Sequence, residues 1–163
     1  MNNTILVTGA GGNVGREVVR ALAARGADVR AAVFSRADRS VLAGVDAVRF
    51  DFANPTTYAE AFRGVARLFL VRPPAISDVD RDIRPVIDYA TAHGVNHIVF
   101  LSLVGVDRNR IVPHAKIEAW LRERRDGRRV TLTVPQRGNK RYLLDMASDN
   151  AGGYLVVDAG LNR

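Results

Sequence analysis

The chain has 163 residues, of which 47% are hydrophobic and 25% are charged, and this balance excludes a disordered or fibrous protein. It contains no cysteine, which excludes disulfides and thiolate chemistry, and the three scattered histidines argue against a metal site. The formal net charge of +7 raises the question of a nucleic-acid partner, whereas the lack of a signal-peptide pattern and of any long apolar run predicts a cytoplasmic protein with no membrane partner.

The first predicted elements are a buried strand and an amphipathic helix. Residues Thr4–Thr8 form a short apolar, β-branched run that is typical of a parallel strand. Residues Asn13–Arg25 carry apolar side chains at helical spacing, and Gly26 follows as a C-cap.

Three glycines lie between this strand and this helix. Gly9, Gly12 and Gly15 give a G-x-x-G-x-x-G pattern, which allows a tight turn, a close approach of backbone to phosphate, and close packing of helix on strand. The N–H groups at the start of the helix, including those of Asn13 and Val14, favour an anion. We predict a dinucleotide site here; the alternative is a glycine-rich turn that keeps the fold without the ligand.

The alternation of strands and helices continues along the chain and predicts a parallel, doubly wound α/β sheet of the Rossmann type, with about six to seven strands in a single domain. Pro85 predicts a kink or a late start in one helix. The predicted strands are 29–34, 45–50, 68–71, 98–101, 130–134 and 154–158, and the predicted helices are 55–63 with Asn54 as N-cap, 78–93, 113–124 and 142–147.

A basic segment accounts for most of the charge. Between Arg122 and Arg141 there are eight basic residues against two acidic ones, a net of +6 out of +7. The segment lacks interleaved aromatic residues, and its arginines follow the bias of the whole chain, so the sequence argues against a nucleic-acid partner.

The end of strand two indicates which dinucleotide binds. NAD-binding domains place an acidic residue here, on the ribose 2′-hydroxyl, whereas this chain has Ser35 and Arg36. A hydroxyl and a guanidinium suit a 2′-phosphate, so we predict NADP(H), with NAD(H) as the alternative if Arg36 is only a solvated arginine.

From Asn3 to about Glu123 the sequence resembles the NmrA-like branch of the atypical short-chain dehydrogenase/reductase superfamily, which includes NAD(P)H:quinone oxidoreductase-like proteins. The motifs are ILVTGAGGNVGREVVRALAARGADVRAAVFSR, VRFDFANPTTYAEAFRGVARLFLVRPP, AHGVNHIVFLSLVGVD and PHAKIEAWLRE. The resemblance implies one NAD(P)-binding Rossmann domain over residues 1–163, with a family-like core at 1–124. Residues 125–163 are shorter than the family's carboxyl-terminal part, truncated or rearranged, and their end resembles that of a classical short-chain dehydrogenase.

The resemblance also implies site residues. It places Asp51 and Phe52 beside the adenine, and Ser102 at the end of strand five in the position of a catalytic serine that also contacts the cofactor. Lys116 resembles the lysine of the helix that follows. The residues implied to line the path from the adenosine ribose to the nicotinamide are Val71, Arg72 and Pro73.

The standard proton relay of this superfamily needs a tyrosine four residues before the lysine, and position 112 is Val112. A quinone accepts hydride with less need of an acid, and His114 or Lys116 is the candidate proton donor. The alternatives are that Ser102 is a strand-end serine bonded to backbone and that His114 is a surface residue at the start of a helix.

Two functions follow. The first is an NAD(P)H-dependent oxidoreductase that reduces a small quinone or carbonyl compound. The second is a non-catalytic redox sensor that binds NADP(H) and reports to a protein partner. A homodimer would cover an apolar edge near strands six and seven.

Overall fold

A computed structural model describes residues 3–35, 42, 44–103, 105–109, 111–123 and 129–133. The elements are β1 Thr4–Val7, α1 Asn13–Ala23, β2 Val29–Val33, β3 Asp46–Arg49, a 3₁₀ turn Pro55–Thr57 leading into α2 Tyr58–Ala61, β4 Val65–Leu70, α3 Val79–Asp82, α4 Arg84–Ala92, β5 His97–Leu101, a 3₁₀ turn Val106–Arg108, α5 Pro113–Glu123 and β6 Arg129–Thr133.

The six strands form one parallel sheet in the order β3-β2-β1-β4-β5-β6. Strand order reverses direction between β1 and β4, and in open α/β sheets ligands bind at the carboxyl ends of the strands beside such a reversal. The predicted Rossmann-type fold is confirmed, and the site is expected at the edge where β1 and β4 end.

Apolar side chains cover both faces of the sheet. Along β1, Ile5 and Val7 enter the cluster that α1 covers, whereas Leu6 points into the larger cluster beneath the other helices. A strand buried on both faces reads as a continuous apolar run, which is why residues 4–8 lack the alternation of a half-exposed strand.

The helix predicted over 78–93 is divided in two. Asp78 caps α3 by accepting a hydrogen bond from the backbone N–H of Arg81 at 3.1 Å, and α4 begins after Ile83. Pro85 has no N–H to continue the helical ladder, which explains the break. The predicted kink is confirmed, and Asp82, the last residue before the break in α3, is 4% exposed.

Two other predicted boundaries differ from the structure. Strand four begins at Val65 and not at Leu68, because Gly64 takes a positive φ of 74° and the chain becomes extended directly after it. The predicted helix 55–63 is a 3₁₀ turn followed by one α-helical turn, although Asn54 caps it as expected, accepting from Thr56 N–H at 3.1 Å. The predicted helix 142–147 and strand 154–158 lie outside the described residues.

Within the part of the chain that the structure describes, no helix is both long and apolar enough to cross a membrane. The same residues contain no group of three side chains that could hold a metal ion.

Candidate functional site

The glycine turn brings α1 into backbone contact with the end of β1. A Cβ on Gly15 would lie 2.6 Å from the carbonyl carbon of Gly9 and 2.9 Å from the Cα of Ala10, distances that no side chain tolerates. Gly9 has a φ of +61°, and its Cα faces Val71 so closely that a Cβ would lie 3.3 Å from the Cβ of Val71. The helix therefore approaches the end of β1 backbone to backbone, with no side chain between them.

Thr8 fixes this turn to the neighbouring strand. Its buried hydroxyl donates to the carbonyl oxygen of Val71 at 3.1 Å and accepts from the N–H of Val71 at 2.8 Å. The ends of β1 and β4 are thus joined across the reversal of strand order. The sequence analysis used Thr8 only as part of a strand; a polar residue that closes an apolar run just before the first glycine was the available signal.

The first turn of α1 is open to an anion. Gly12, its N-cap, offers no side-chain hydrogen bond, and no acidic residue lies in the first turn. The N–H groups of Asn13, Val14 and Gly15 in this first turn have no partner within the helix and lie at the positive end of the helix dipole, which favours a phosphate. Gly12 is itself tight, since a Cβ there would lie 3.3 Å from the carbonyl oxygen of Gly9.

A pocket of about 400 Å³ extends from this turn across the ends of β2, β3 and β4. Its volume is in the range of small-molecule and cofactor sites. Asp51, Phe52 and Pro73, which the sequence predicts near the cofactor, line it. The other lining residues are Gly9, Gly11, Gly12, Ala32, Val33, Phe34, Phe50, Ala53, Ala75, Ile76 and Asp82.

The pocket wall is held by a buried tyrosine. The hydroxyl of Tyr58 donates to the carbonyl oxygen of Phe52, and its ring lies 5.5 Å from that of Phe50. Burial raises the pKa of Tyr58 to about 12, with the charges of Asp51 and Asp82 adding to the effect. This phenol is therefore a donor to backbone and not a proton donor for chemistry.

The residues predicted to contact the cofactor after β4 lie on a loop whose backbone is contacted by Arg72. Arg72 donates to the carbonyl oxygens of Pro73, at 3.1 Å, and of Ile76, and its Nε is buried without a hydrogen-bond partner. Burial lowers the pKa of Arg72. Val71 and Arg72 are half-buried beside the pocket. Ser35 is exposed just after β2, and Arg36 lies outside the described residues.

The three predicted catalytic residues do not converge. Ser102 is 1% exposed, and its hydroxyl donates to the carboxylate of Glu118 on α5 and not to backbone. Glu118 is also buried and pairs with Arg122 at 2.7 Å. Lys116 points outward, with its ammonium on the carboxylate of Asp80 at the surface. Sequence reasoning missed Glu118, whose position four residues after His114 on α5 could have indicated an inward-facing acid.

His114 is buried, which corrects the alternative that it is a surface residue. It is 6% exposed, stacks on Phe100 with ring centroids 5.6 Å apart, and has its Nδ1 buried with no partner. Burial, with the nearby charge of Arg72, lowers the pKa of His114 to about 4. The imidazole is therefore neutral at neutral pH.

The open turn, the uncapped helix start and the adjoining pocket fit a dinucleotide. Comparison with known proteins decides the point, because the family of NAD(P)H-binding proteins matches residues 9–132. The chain belongs to the NAD(P)H-binding family. It is similar to the NADPH-dependent quinone oxidoreductase of Escherichia coli, solved with NADPH, at 27% identity and a TM-score of 0.69, covering 78% of this chain and 47% of that one.

Two further similarities support the NmrA-like resemblance of this NAD(P)H-binding domain. Triphenylmethane reductase of Citrobacter sp., solved with NADP(H), is 26% identical with a TM-score of 0.66 over 78% of this chain and 48% of that one. Prestalk A differentiation protein A of Dictyostelium discoideum is 35% identical over 120 residues, 71% of this chain and 39% of that protein. The chain thus spans less than half the length of this relative.

A second family, the UvrC ribonuclease H-like domain, matches residues 108–157. This match overlaps the end of the NAD(P)H-binding match and takes in most of the tail that the sequence analysis compared with a classical dehydrogenase. Residues 134–163 lie outside the described residues, so the likeness of the end of the chain to a dehydrogenase stays a prediction.

The Gly15 contact predicts a large and local effect on stability. Gly15→Ala is expected to lower the free energy of unfolding by about 2 kcal/mol or more, because the added methyl overlaps the backbone of Gly9. Gly26→Ala is the control: its φ is +72° but nothing lies within 4 Å, so it should cost about 1 kcal/mol for backbone strain alone. Urea titrations of both variants measure the difference, and equal losses would contradict the contact.

Neutral His114 predicts sensitivity to acid. The pKa of His114 is 6.5 in the unfolded chain and about 4 in the folded protein. Protonation therefore favours the unfolded chain, so the free energy of unfolding is highest above pH 6.5 and decreases as the pH falls toward 4. The loss is on the order of 3 kcal/mol. Unfolding titrations between pH 7 and 4 should show a smaller slope for His114→Phe. The exposed His93 provides the control, because His93→Phe leaves His114 in place; an unchanged slope in His114→Phe would refute the assignment.

Proposed function

We propose that the protein is an NADP(H)-dependent oxidoreductase that transfers hydride to a small quinone. The observation that carries the proposal is the lack of a positioned acid beside a well-formed dinucleotide site, within the residues that the structure describes. Val112 replaces the relay tyrosine, His114 is neutral, and the proton of Ser102 is directed to Glu118. Such a site suits an acceptor that needs no proton from the protein as hydride arrives.

When bound, the cofactor supplies the hydride. The chain's own residues bind and orient it: the N–H groups of Asn13, Val14 and Gly15 face the phosphates, while Asp51 and Phe52 border the adenosine end. Arg72 holds the loop after β4, and its desolvated cation lies near His114. A positive charge in this position stabilises negative charge developing on the oxygen of a quinone.

The choice of NADP(H) over NAD(H) rests on the end of β2. Ser35 and Arg36 stand where an acidic residue would read the ribose 2′-hydroxyl. Two similar solved reductases, the quinone oxidoreductase and the triphenylmethane reductase, were determined with the phosphorylated cofactor. These relatives support quinone-like, electron-poor acceptors over simple carbonyl compounds.

The second candidate is a redox sensor that binds NADP(H) without turnover. The contact that favours it is the Ser102–Glu118 hydrogen bond, which leaves the expected catalytic serine engaged inside the fold. We also propose that residues 1–163 act as one domain, with 1–124 as the family-like core. We propose a small-molecule substrate as the enzyme's partner. We also propose that two copies of the chain form a homodimer.

The cofactor preference can be reversed by charge. Arg36→Glu is expected to weaken NADPH binding by about tenfold or more, since a charge-assisted hydrogen bond is replaced by repulsion of the 2′-phosphate, while NADH binding changes little. Calorimetric titration with both cofactors measures the ratio. Arg25→Glu, just beyond the carboxyl end of α1, is the matched control, and an equal loss for NADPH and NADH would refute the role of Arg36.

Lys116→Met tests whether Lys116 donates a proton to the quinone or whether the reduction needs no proton donor from the protein. The ammonium of Lys116 pairs with Asp80 at the surface, so quinone reduction by the variant should stay within about twofold of the wild type, below the 10²–10⁴-fold contribution typical of a general acid. NADPH oxidation with a panel of quinones gives both rates. A hundredfold loss would restore Lys116 to the chemistry, and no oxidation by the wild type despite NADPH binding would favour the sensor.

A further inference from the structure

Arg72 is a half-buried cation to which the described structure gives no acidic partner. Its guanidinium donates from Nη1 to the carbonyl oxygens of Pro73, at 3.1 Å, and of Ile76, and its Nε is buried with no hydrogen-bond partner. None of the ion pairs found among the described residues includes Arg72. Carbonyl oxygens neutralise no charge, so the cation stays uncompensated while burial lowers its pKa.

The imidazole of His114 lies near this cation and does not compensate it. Its ring stacks on Phe100 of β5, its Nδ1 has no hydrogen-bond partner, and the charge of Arg72 contributes to its lowered pKa. A neutral imidazole offers one donor and one acceptor but carries no charge. Arg72 and His114 therefore form a positively charged, partly desolvated region after β4 and at the start of α5.

The buried acids of the described residues are paired elsewhere. Asp82 accepts from Arg81 at 2.7 Å on each carboxylate oxygen. Glu118 accepts the hydrogen bond of Ser102 and pairs with Arg122 at 2.7 Å. Each acid thus has its own arginine, so the negative charge that would balance Arg72 is not supplied by these side chains.

Exposed apolar side chains lie at the same edge of the sheet. The large hydrophobic side chains that are exposed among the described residues all follow a strand or precede a helix at the carboxyl ends of the strands: Val14, Phe34, Leu103 and Ile111. Leu103 follows β5 and is 41% exposed, and Ile111 precedes α5 and is 95% exposed. Because β5 pairs with β4, these two side chains belong to the part of the edge beside Arg72. Bare apolar side chains beside an uncompensated cation suit a ligand with an apolar ring and a negative group.

We propose that the quinone reduced by this protein carries an anionic group, such as a carboxylate, which Arg72 binds while the ring packs against Leu103 and Ile111. The inference rests on the proposed function and names its substrate class. All described hydrogen bonds of Arg72 leave from Nη1, so Nη2 keeps two N–H donors for an anion. The anionic group anchors the acceptor and takes no part in the hydride transfer.

Two quinones that differ in the charge of one side chain test the proposal. Menadione with a propanoic acid side chain on its free quinone carbon is compared with the methyl ester of the same compound, because the saturated linker keeps the reduction potential of the ring nearly equal. With the full wild-type chain and NADPH, we expect kcat/KM to be about tenfold higher for the acid, as one charge-assisted hydrogen bond supplies. A wild-type ratio near one would overturn the proposal.

Arg72→Met removes the charge and keeps much of the side-chain length. The ratio of acid to ester is expected to fall to near one, whereas Arg72→Lys should retain part of the preference, because it keeps the charge but not the planar fork. Arg63→Met is the matched control, since it removes the same charge from an exposed side chain that precedes β4, at the opposite edge of the sheet. An equal fall in Arg63→Met would reduce the preference to net charge and contradict the proposal.

Ile111→Ser tests the apolar wall. We expect kcat/KM to fall about threefold or more for the acid and the ester together, because less apolar surface covers the ring, and we expect their ratio to stay the same. If the ratio falls as far as in Arg72→Met, it does not report the charge of Arg72, and the proposal fails.

The cofactor phosphates are the other source of negative charge at this edge of the sheet. If the acceptor supplies the anion, Arg72→Met should bind NADPH within about threefold of the wild type by calorimetry while losing the preference for the acid. A tenfold loss of NADPH affinity with an unchanged ratio of acid to ester would assign Arg72 to the cofactor and overturn the inference. Melting curves of the variants show that the changes belong to a folded protein.

The outcomes also separate this inference from the proposed function. Reduction of the acid and the ester with equal kcat/KM would remove the inference and leave the oxidoreductase intact. If the wild type reduces neither quinone although it binds NADPH, the proposed function fails and the inference fails with it.

Discussion

The structure depends on the contact between the backbone of Gly15 and that of Gly9. The first helix can cross the end of β1 only because neither residue brings a side chain to the crossing. This contact sets the height of the helix start above the sheet, and with it the position of the N–H groups that we propose bind the cofactor phosphates. The positive φ of Gly9 and the N-cap position of Gly12 follow from the same geometry.

From that contact the site extends in two directions with different character. Toward β3 it is an apolar pocket with carboxylates as its polar side chains, which suits a purine. Toward β5, Arg72 and His114 share a desolvated environment, and the buried carboxylate of Glu118 accepts the hydrogen bond of Ser102. The proposed hydride transfer without a proton donor from the protein is based on this arrangement.

Much of the fold could be predicted from local pattern, because strands buried on both faces and glycine punctuation are visible in one dimension. The glycine turn, the parallel sheet and the break at Pro85 belong to this class. The burial and the partners of polar side chains could not be predicted in this way, since they are decided by elements distant in sequence. Ser102 contacts Glu118 sixteen residues later, and His114 on α5 is covered by stacking on Phe100 of β5.

The two hydrogen bonds between Thr8 and Val71 have a consequence for how quickly and how tightly a ligand is captured. They join the ends of β1 and β4 through contacts of the protein itself and so restrain the turn that precedes α1. A restrained turn loses less chain entropy when a dinucleotide binds, so more of the interaction energy is expressed as affinity. Binding is then expected to resemble docking to a preformed surface.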